Sequence, residues 1–283
     1  MNSGRRLGRS TGGNIAIYSV LVLFGVFMVL PLVYALSNAF KPLDEMFVFP
    51  PRFFVRNPTM DNFLDLITVM SESWVPFSRY LLNTVTITVV GTAGCVIVTS
   101  MAAFVLSKYK FPGNKLIFKI VVISLMFSGN VTQIPSYLIM ARLGWIDSLL
   151  SVVIPAMAMP MGLFLIKQYI EGIPNVLIEA ATIDGANLFQ IYWKIIMPMC
   201  KPAWVTVVIF AVQRLWNSNP TSYIFSEELK TLPYALQQIL AGGISRTGVA
   251  SAVTVVMMIV PIVTFIMSQR QVVHTMASSG IKD

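Results

Sequence analysis

From Ile15 to Leu36, from Tyr80 to Leu106 and from Val249 to Ser268 the chain carries no Asp, Glu, Lys or Arg. About 20 mainly apolar residues in a helix cross the ~30 Å hydrocarbon core of a bilayer, and each of these runs is long enough. Three further runs are nearly as apolar, from about Leu116 to Met140, Leu149 to Ile170 and Pro202 to Trp216. A segment in lipid must satisfy its own backbone polar groups, so each run is read as a helix. The sequence predicts an all-α membrane protein with six transmembrane helices. Composition agrees, since 11% of residues are charged against about 25% in soluble domains. The third run holds Asn130, Gln133 and Pro135, which predict an irregular outer half. The fourth holds Pro155 and Pro160.

Net charge is +8. The basic residues cluster in short segments between apolar runs, so topology explains them better than nucleic acid does. Arg5, Arg6 and Arg9 precede the first run, which is too long for a signal-peptide core and lacks a small-residue cleavage site. It is read as a retained first helix. Alternate loops put 12 of the 20 basic and 4 of the 12 acidic residues on the side of the termini. The positive-inside rule then makes both termini cytoplasmic, and an even number of spans agrees. The expected organisation is a cytoplasmic N-terminus (1–14), one transmembrane domain (15–268) and a cytoplasmic tail (269–283). Cys95 and Cys200 lack metal-ligand spacing and read as buried small residues, and the lone His274 is a poor ligand.

One inside loop is long, covering 171–200 between the fourth and fifth runs. Asn175 after Pro174 predicts a helix start and Gly185 a stop. A helix of two to three turns is marginal alone, so something must hold it. Its small Ala180 and Ala181 would admit another surface closely. A membrane-surface helix should carry Lys or Arg on its polar face, whereas this one offers Glu179 and Asp184.

Glu179-Ala180-Ala181 is followed after three residues by Gly185 and after nine more by Ile195-Ile196-Met197-Pro198. This resembles the EAA loop of ABC importer permeases, Glu-Ala-Ala, x3, Gly, x9, Ile-x-Leu-Pro, with Met197 in place of leucine. Further matches are Ser37-Asn38-Ala39-Phe40-Lys41-Pro42, Asn83-Thr84-Val85, Ala102 to Lys108, Ile183 to Ala186, Trp216-Asn217, Thr231-Leu232-Pro233 and Ser279-Gly280-Ile281-Lys282. They are similar to the binding-protein-dependent sugar-importer branch, notably the six-helix maltose permease subunit. One departure is local: Ser218 and Asn219 follow Trp216-Asn217, where that branch commonly has an acidic residue.

The resemblance implies a type I ABC importer permease in the bacterial inner membrane, importing carbohydrate by alternating access. The chain itself would be no enzyme and bind no cofactor or metal, ATP and magnesium sitting on two partner ATPase subunits. A second permease in a heterodimer, a substrate-binding protein, the sugar and membrane lipid are the other implied partners, with no nucleic acid. The loop helix would be the coupling helix, with Glu179, Ala180, Ala181, Asp184, Gly185 and Pro198 at the ATPase. Gly280 and Lys282 of the tail would touch the ATPases too.

Polar residues within spans are costly and often functional. Ser128, Asn130, Gln133 and Tyr137 of the third span, with Gln213 and Asn217 of the fifth, are candidates for a pathway that suits a polyhydroxylated ligand. Ser124 and Thr132 belong to the same group. Interhelical hydrogen bonding is the alternative for each. Arg214 reads either as a residue reaching for the membrane interface or as a partner for an acidic sugar. The outer loop from Asn217 to Gly248 either reaches a docked binding protein or packs on the outer mouth. A membrane enzyme lacks support, for there is no His pair, metal-spaced Cys or phosphate loop. A carrier would more often show inverted repeats or buried charges.

Overall fold

The computed structural model describes residues 11–71, 75–243 and 246–279, and helices are the regular elements among them. In chain order they begin with α1 (Thr11–Ala39), α2 (Leu43–Met46), α3 (Asp61–Ser71) and α4 (Phe77–Lys108). Next come α5 (Asn114–Ser124), α6 (Gly129–Arg142), α7 (Leu150–Met157), α8 (Pro160–Glu171) and α9 (Val176–Ile183). After them follow α10 (Leu188–Ile191), a π-helical turn (Tyr192–Ile196), α11 (Met197–Met199), α12 (Lys201–Trp216), α13 (Leu232–Ala241) and α14 (Thr247–Ser279). The chain divides into two compact units, residues 1–68 with 239–255, and residues 69–238 with 256–283.

In the first unit α1 is apolar all round, and none of its most apolar stretch is buried. Lipid or another chain must cover such a helix. Its C-terminal end is tied down. The Asn62 amide donates to the carbonyl of Ala39 (2.9 Å), which the end of a helix leaves open, and to that of Lys41 (2.7 Å) in the turn beyond it. Lys41 is itself buried and donates to Asn38 Oδ1 (2.8 Å) and the Arg52 carbonyl (2.5 Å). Glu45 accepts from the backbone of Arg56 and Asn57, so a folded cap follows α1.

The second unit is built on α4, against which α7, α8 and α12 pack. Small residues let these backbones approach. A Cβ at Gly91 would stand 2.7 Å from Leu215 Cδ1, and one at Gly162 3.0 Å from Val207 Cγ1. The core around Ile166, Ile170, Ile196, Val207 and Ala211 is fully enclosed, and both cysteines are buried with their thiols free.

Prolines break the spans, and side chains repair them. Pro160 cannot offer an N–H to the Ala156 carbonyl, and Arg214 Nη2 donates to it instead at 2.8 Å. Pro261 leaves the Met257 carbonyl open in the same way, and the Trp216 indole donates to it at 2.8 Å. Both repairs come from the last turn of α12.

Four helices are long and apolar enough to span a bilayer: Gly12–Ala39, Phe77–Lys108, Leu150–Glu171 and Thr247–Gln269. A fifth is counted if Leu188–Met199 and Lys201–Trp216, bent by 80°, form one span. The predicted third span differs from a single helix. It is cut at Leu125–Ser128 into α5 and α6, of 11 and 14 residues. At 1.5 Å per residue they reach only roughly 16 and 21 Å. The irregularity lies before Gly129, while α6 continues through Pro135.

Candidate functional site: a projecting helix and a polar cavity

Helix α9 is held at both ends and along one face. At its start, Lys108 Nζ from the end of α4 donates to the Ile173 carbonyl (2.5 Å) and to Asn175 Oδ1 (3.0 Å). Asn175 stands at the expected start, immediately before Val176. Its backbone is already helical (φ −65°, ψ −26°) and its side chain makes no capping bond. At the other end Gly185 sits at φ +80°, a left-handed conformation natural to glycine. There the Ala186 N–H reaches the Ala181 carbonyl (2.9 Å) and the Gly185 N–H reaches Thr182 (3.1 Å), the pair of bonds of a Schellman stop. Ile178, Ala181 and Ala186 pack on the core of the second unit.

The opposite face is bare. Val176 and Ile183 are 68% and 86% exposed, and Glu179, Ala180 and Asp184 are exposed beside them. Pro198 is exposed in α11, just before the 80° bend. Of the six residues assigned to the loop, five therefore lie on an accessible surface and Ala181 faces inward. Sequence reasoning missed the capping box that starts α10, where Asn187 and Gln190 each bond the other's backbone N–H at 2.9 Å. The Asn-x-x-Gln spacing was a readable signal. Gly280 and Lys282 lie outside the described residues.

At the far end of α4 the loop between α12 and α13 is built with equal care. Asn83 Nδ2 donates to the carbonyls of Glu228 (2.7 Å) and Lys230 (2.9 Å), and Thr84 Oγ1 accepts from the Leu232 N–H (2.8 Å). The Asn83-Thr84 and Thr231-Leu232 motifs, separate in sequence, thus form one joint. Glu227 takes bonds from Tyr80 (2.7 Å), Lys230 (2.7 Å) and Tyr234 (3.2 Å). Burial pushes the Glu227 carboxyl up, but those three donors and the Lys230 charge outweigh it and hold it low. Lys230 is pulled down by burial, yet its bonds to Glu227 and Tyr234 leave it raised.

Asp147, in the turn after α6, ties this loop down. Its Oδ1 accepts the Phe225 (2.9 Å) and Ser226 (2.7 Å) N–H groups, its Oδ2 the Ser226 hydroxyl, and its own N–H reaches the Tyr223 carbonyl (2.8 Å). The Ser226 bonds, side chain first, keep its carboxyl below the usual range. The sequence marks Asp147-Ser148 as turn formers but gives no sign of the partner loop.

Between α6, α7, the end of α12 and this loop lies a cavity of about 340 Å³. Gln133, Ser136, Ser151, Arg214, Asn219 and Tyr223 are on its wall. Gln133 donates to Ser222 Oγ (2.9 Å), and Tyr137 stacks on Tyr223 with centroids 6.3 Å apart. Of the predicted pathway group the structure brings Thr132 and Gln133 to the wall and Tyr137 beside them. Ser128, Gln213 and Asn217 are exposed and off the wall, the Asn217 amide donating to the Gln213 carbonyl (2.8 Å). The Asn130 side chain lies outside the described residues.

No family model matches the chain. The fold matches a solved bacterial ABC transporter involved in the import of the acidic polysaccharide alginate. The TM-score is 0.79 at 24% identity, over 93% of this chain and 98% of that one. The architecture is thus that of an ABC importer permease. The arabinooligosaccharides transport system permease protein AraQ of Halalkalibacterium halodurans is 27% identical over 262 residues, 90% of this chain and 91% of that one. Protein LplC of Bacillus subtilis is 30% identical over 221 residues, 76% and 70% of the two chains. The chain belongs to the ABC transporter permeases of the sugar-importer branch, and its role is in transport rather than catalysis.

Proposed function

We propose that this chain forms half of an oligosaccharide pathway in the bacterial inner membrane, both termini cytoplasmic, and that α9 couples it to a separate ATPase. Paired with a second permease, it would receive sugar from a binding protein at the outer loop. Two ATPase subunits would supply ATP, magnesium and hydrolysis. The observation that carries the reading is the bare face of α9, where Val176, Glu179 and Ile183 stand exposed on a helix clamped at both ends. Exposed apolar groups on a rigid support suit a docking cleft, since little ordering entropy remains to be lost on binding. A push on α9 would travel to α4 through the Lys108 clamp, giving alternating access by rigid-body movement. The net +8 on the α9 side from charge counting agrees with its being cytoplasmic. The relationship to AraQ favours an oligosaccharide as cargo.

Proteoliposomes holding the chain with its partner permease and ATPases test this. Uptake of oligosaccharide should require ATP and the binding protein. Uptake by the chain alone, driven by an ion gradient, contradicts the proposal.

A further inference from the structure

Arg214 enters the outer cavity from the last turn of α12. Its Nη2 serves the Ala156 carbonyl, but a guanidinium carries five donors. No carboxylate is on the cavity wall, and Arg214 forms no ion pair among the described residues. Arg214 is exposed at the cavity, so its spare donors are open to a ligand, and charged residues within spans commonly serve a ligand path. The remaining wall is neutral, with the amide of Gln133 and the hydroxyls of Ser136 and Ser151. Asn219 lines the wall as well, its Nδ2 donating to Gln237 Oε1 (2.7 Å).

We propose that this cavity receives a carboxylate-bearing sugar unit, a uronate, with Arg214 holding the carboxylate and the amide and hydroxyls of the wall bonding the ring hydroxyls. The proposal rests on the carbohydrate-import reading and narrows its cargo to acidic oligosaccharides. A neutral sugar answers the amide and hydroxyls of the wall and leaves Arg214 uncompensated. A uronate answers both, because a guanidinium matches a carboxylate in charge and in fork geometry. The cavity volume, about 340 Å³, falls in the range of roughly 300–1,000 Å³ usual for ligand sites.

The test uses the assembled importer in nanodiscs without its binding protein, so that only the membrane subunits bind. Trigalacturonate, its methyl ester and maltotriose are titrated in zwitterionic and in anionic lipid. The acid should bind about tenfold or more tightly than its ester, the difference that one charge-assisted contact gives. Arg214→Gln should abolish that difference, Arg214→Lys keep part of it, and Gln133→Leu weaken all three sugars. Equal binding of acid and ester, or a preference that survives Arg214→Gln, overturns the assignment. So does loss of the preference in anionic lipid alone, which would give the guanidinium to a headgroup. Should Arg214→Gln fail to assemble, the acid–ester comparison on the unmodified complex decides. ATP-driven uptake of neutral oligosaccharides without acid preference overturns this inference alone, whereas no uptake of any oligosaccharide overturns the import reading with it.

Discussion

At Gly185 the torsion φ is +80°, and a Cβ there would meet nothing within 4 Å. The constraint is therefore backbone strain alone, about 1–2 kcal/mol for an ordinary L-residue. Gly185→Val should insert normally but lower sugar-stimulated ATP hydrolysis by the assembled complex, because the exit from α9 shifts. Gly185→Asn, which tolerates this conformation, should keep most of it. Equal activity of the two variants would remove strain at the stop from the account. Asp147 and Glu227 set a second residue-scale expectation. Both carboxyls are held below their ordinary values of 3.8 and 4.5, so their contribution is present above those values and fades as pH falls through the lowered ones. Hydrogen exchange at the Phe225 and Ser226 amides should stay protected at neutral pH and open in that acidic window. Asp147→Asn should open them already at pH 7, and unchanged protection would mean the loop is anchored elsewhere.

Among elements, the end of α12 serves two neighbours, since Arg214 and Trp216 supply the donors that Pro160 and Pro261 lack. Trp216→Phe should cost about 0.6–2 kcal/mol, the range for interhelical hydrogen bonds in membranes. Adding Pro261→Ala, which restores an N–H within α14, should recover most of the bond's share in a thermal-stability cycle. A penalty that Pro261→Ala leaves untouched would assign the loss to packing. The sequence made these breaks readable as prolines but not their repairs, because a donor some 40 to 60 residues away leaves no local trace. At Asn175 the helix start was legible, but not the bond that Lys108, distant in sequence, donates to its side-chain oxygen. The third span was legible as apolar and irregular, yet its break fell at Leu125–Ser128, ahead of the Asn, Gln and Pro that seemed to mark it. By contrast α9 was read almost to the residue, since its stop depends on one glycine and its own carbonyls.

Across the second unit, α4 links the two candidate sites. Its 32 residues extend roughly 48 Å at 1.5 Å per residue. Asn83 and Thr84 grip the loop before α13 near one end, and Lys108 grips the entrance to α9 at the other. An event at one end thus has a continuous, packed element through which to reach the other, and Gly91 keeps that element close to α12. The cavity was only partly legible: Thr132, Gln133 and Arg214 stood out as polar groups in spans, while Ser136, Ser151 and Asn219 gained meaning only once three helices and a loop converged.

The central claim is that α9 meets a cytoplasmic ATPase, and one introduced thiol tests it most directly. Cys95 and Cys200 are buried, so Ala180→Cys places a single accessible thiol on the bare face. In membranes carrying the whole complex it should resist an impermeant reagent added from outside, react once the inner face is opened, and cross-link to the ATPase subunit. Labelling from outside, or no cross-link to an ATPase in an active complex, contradicts the account.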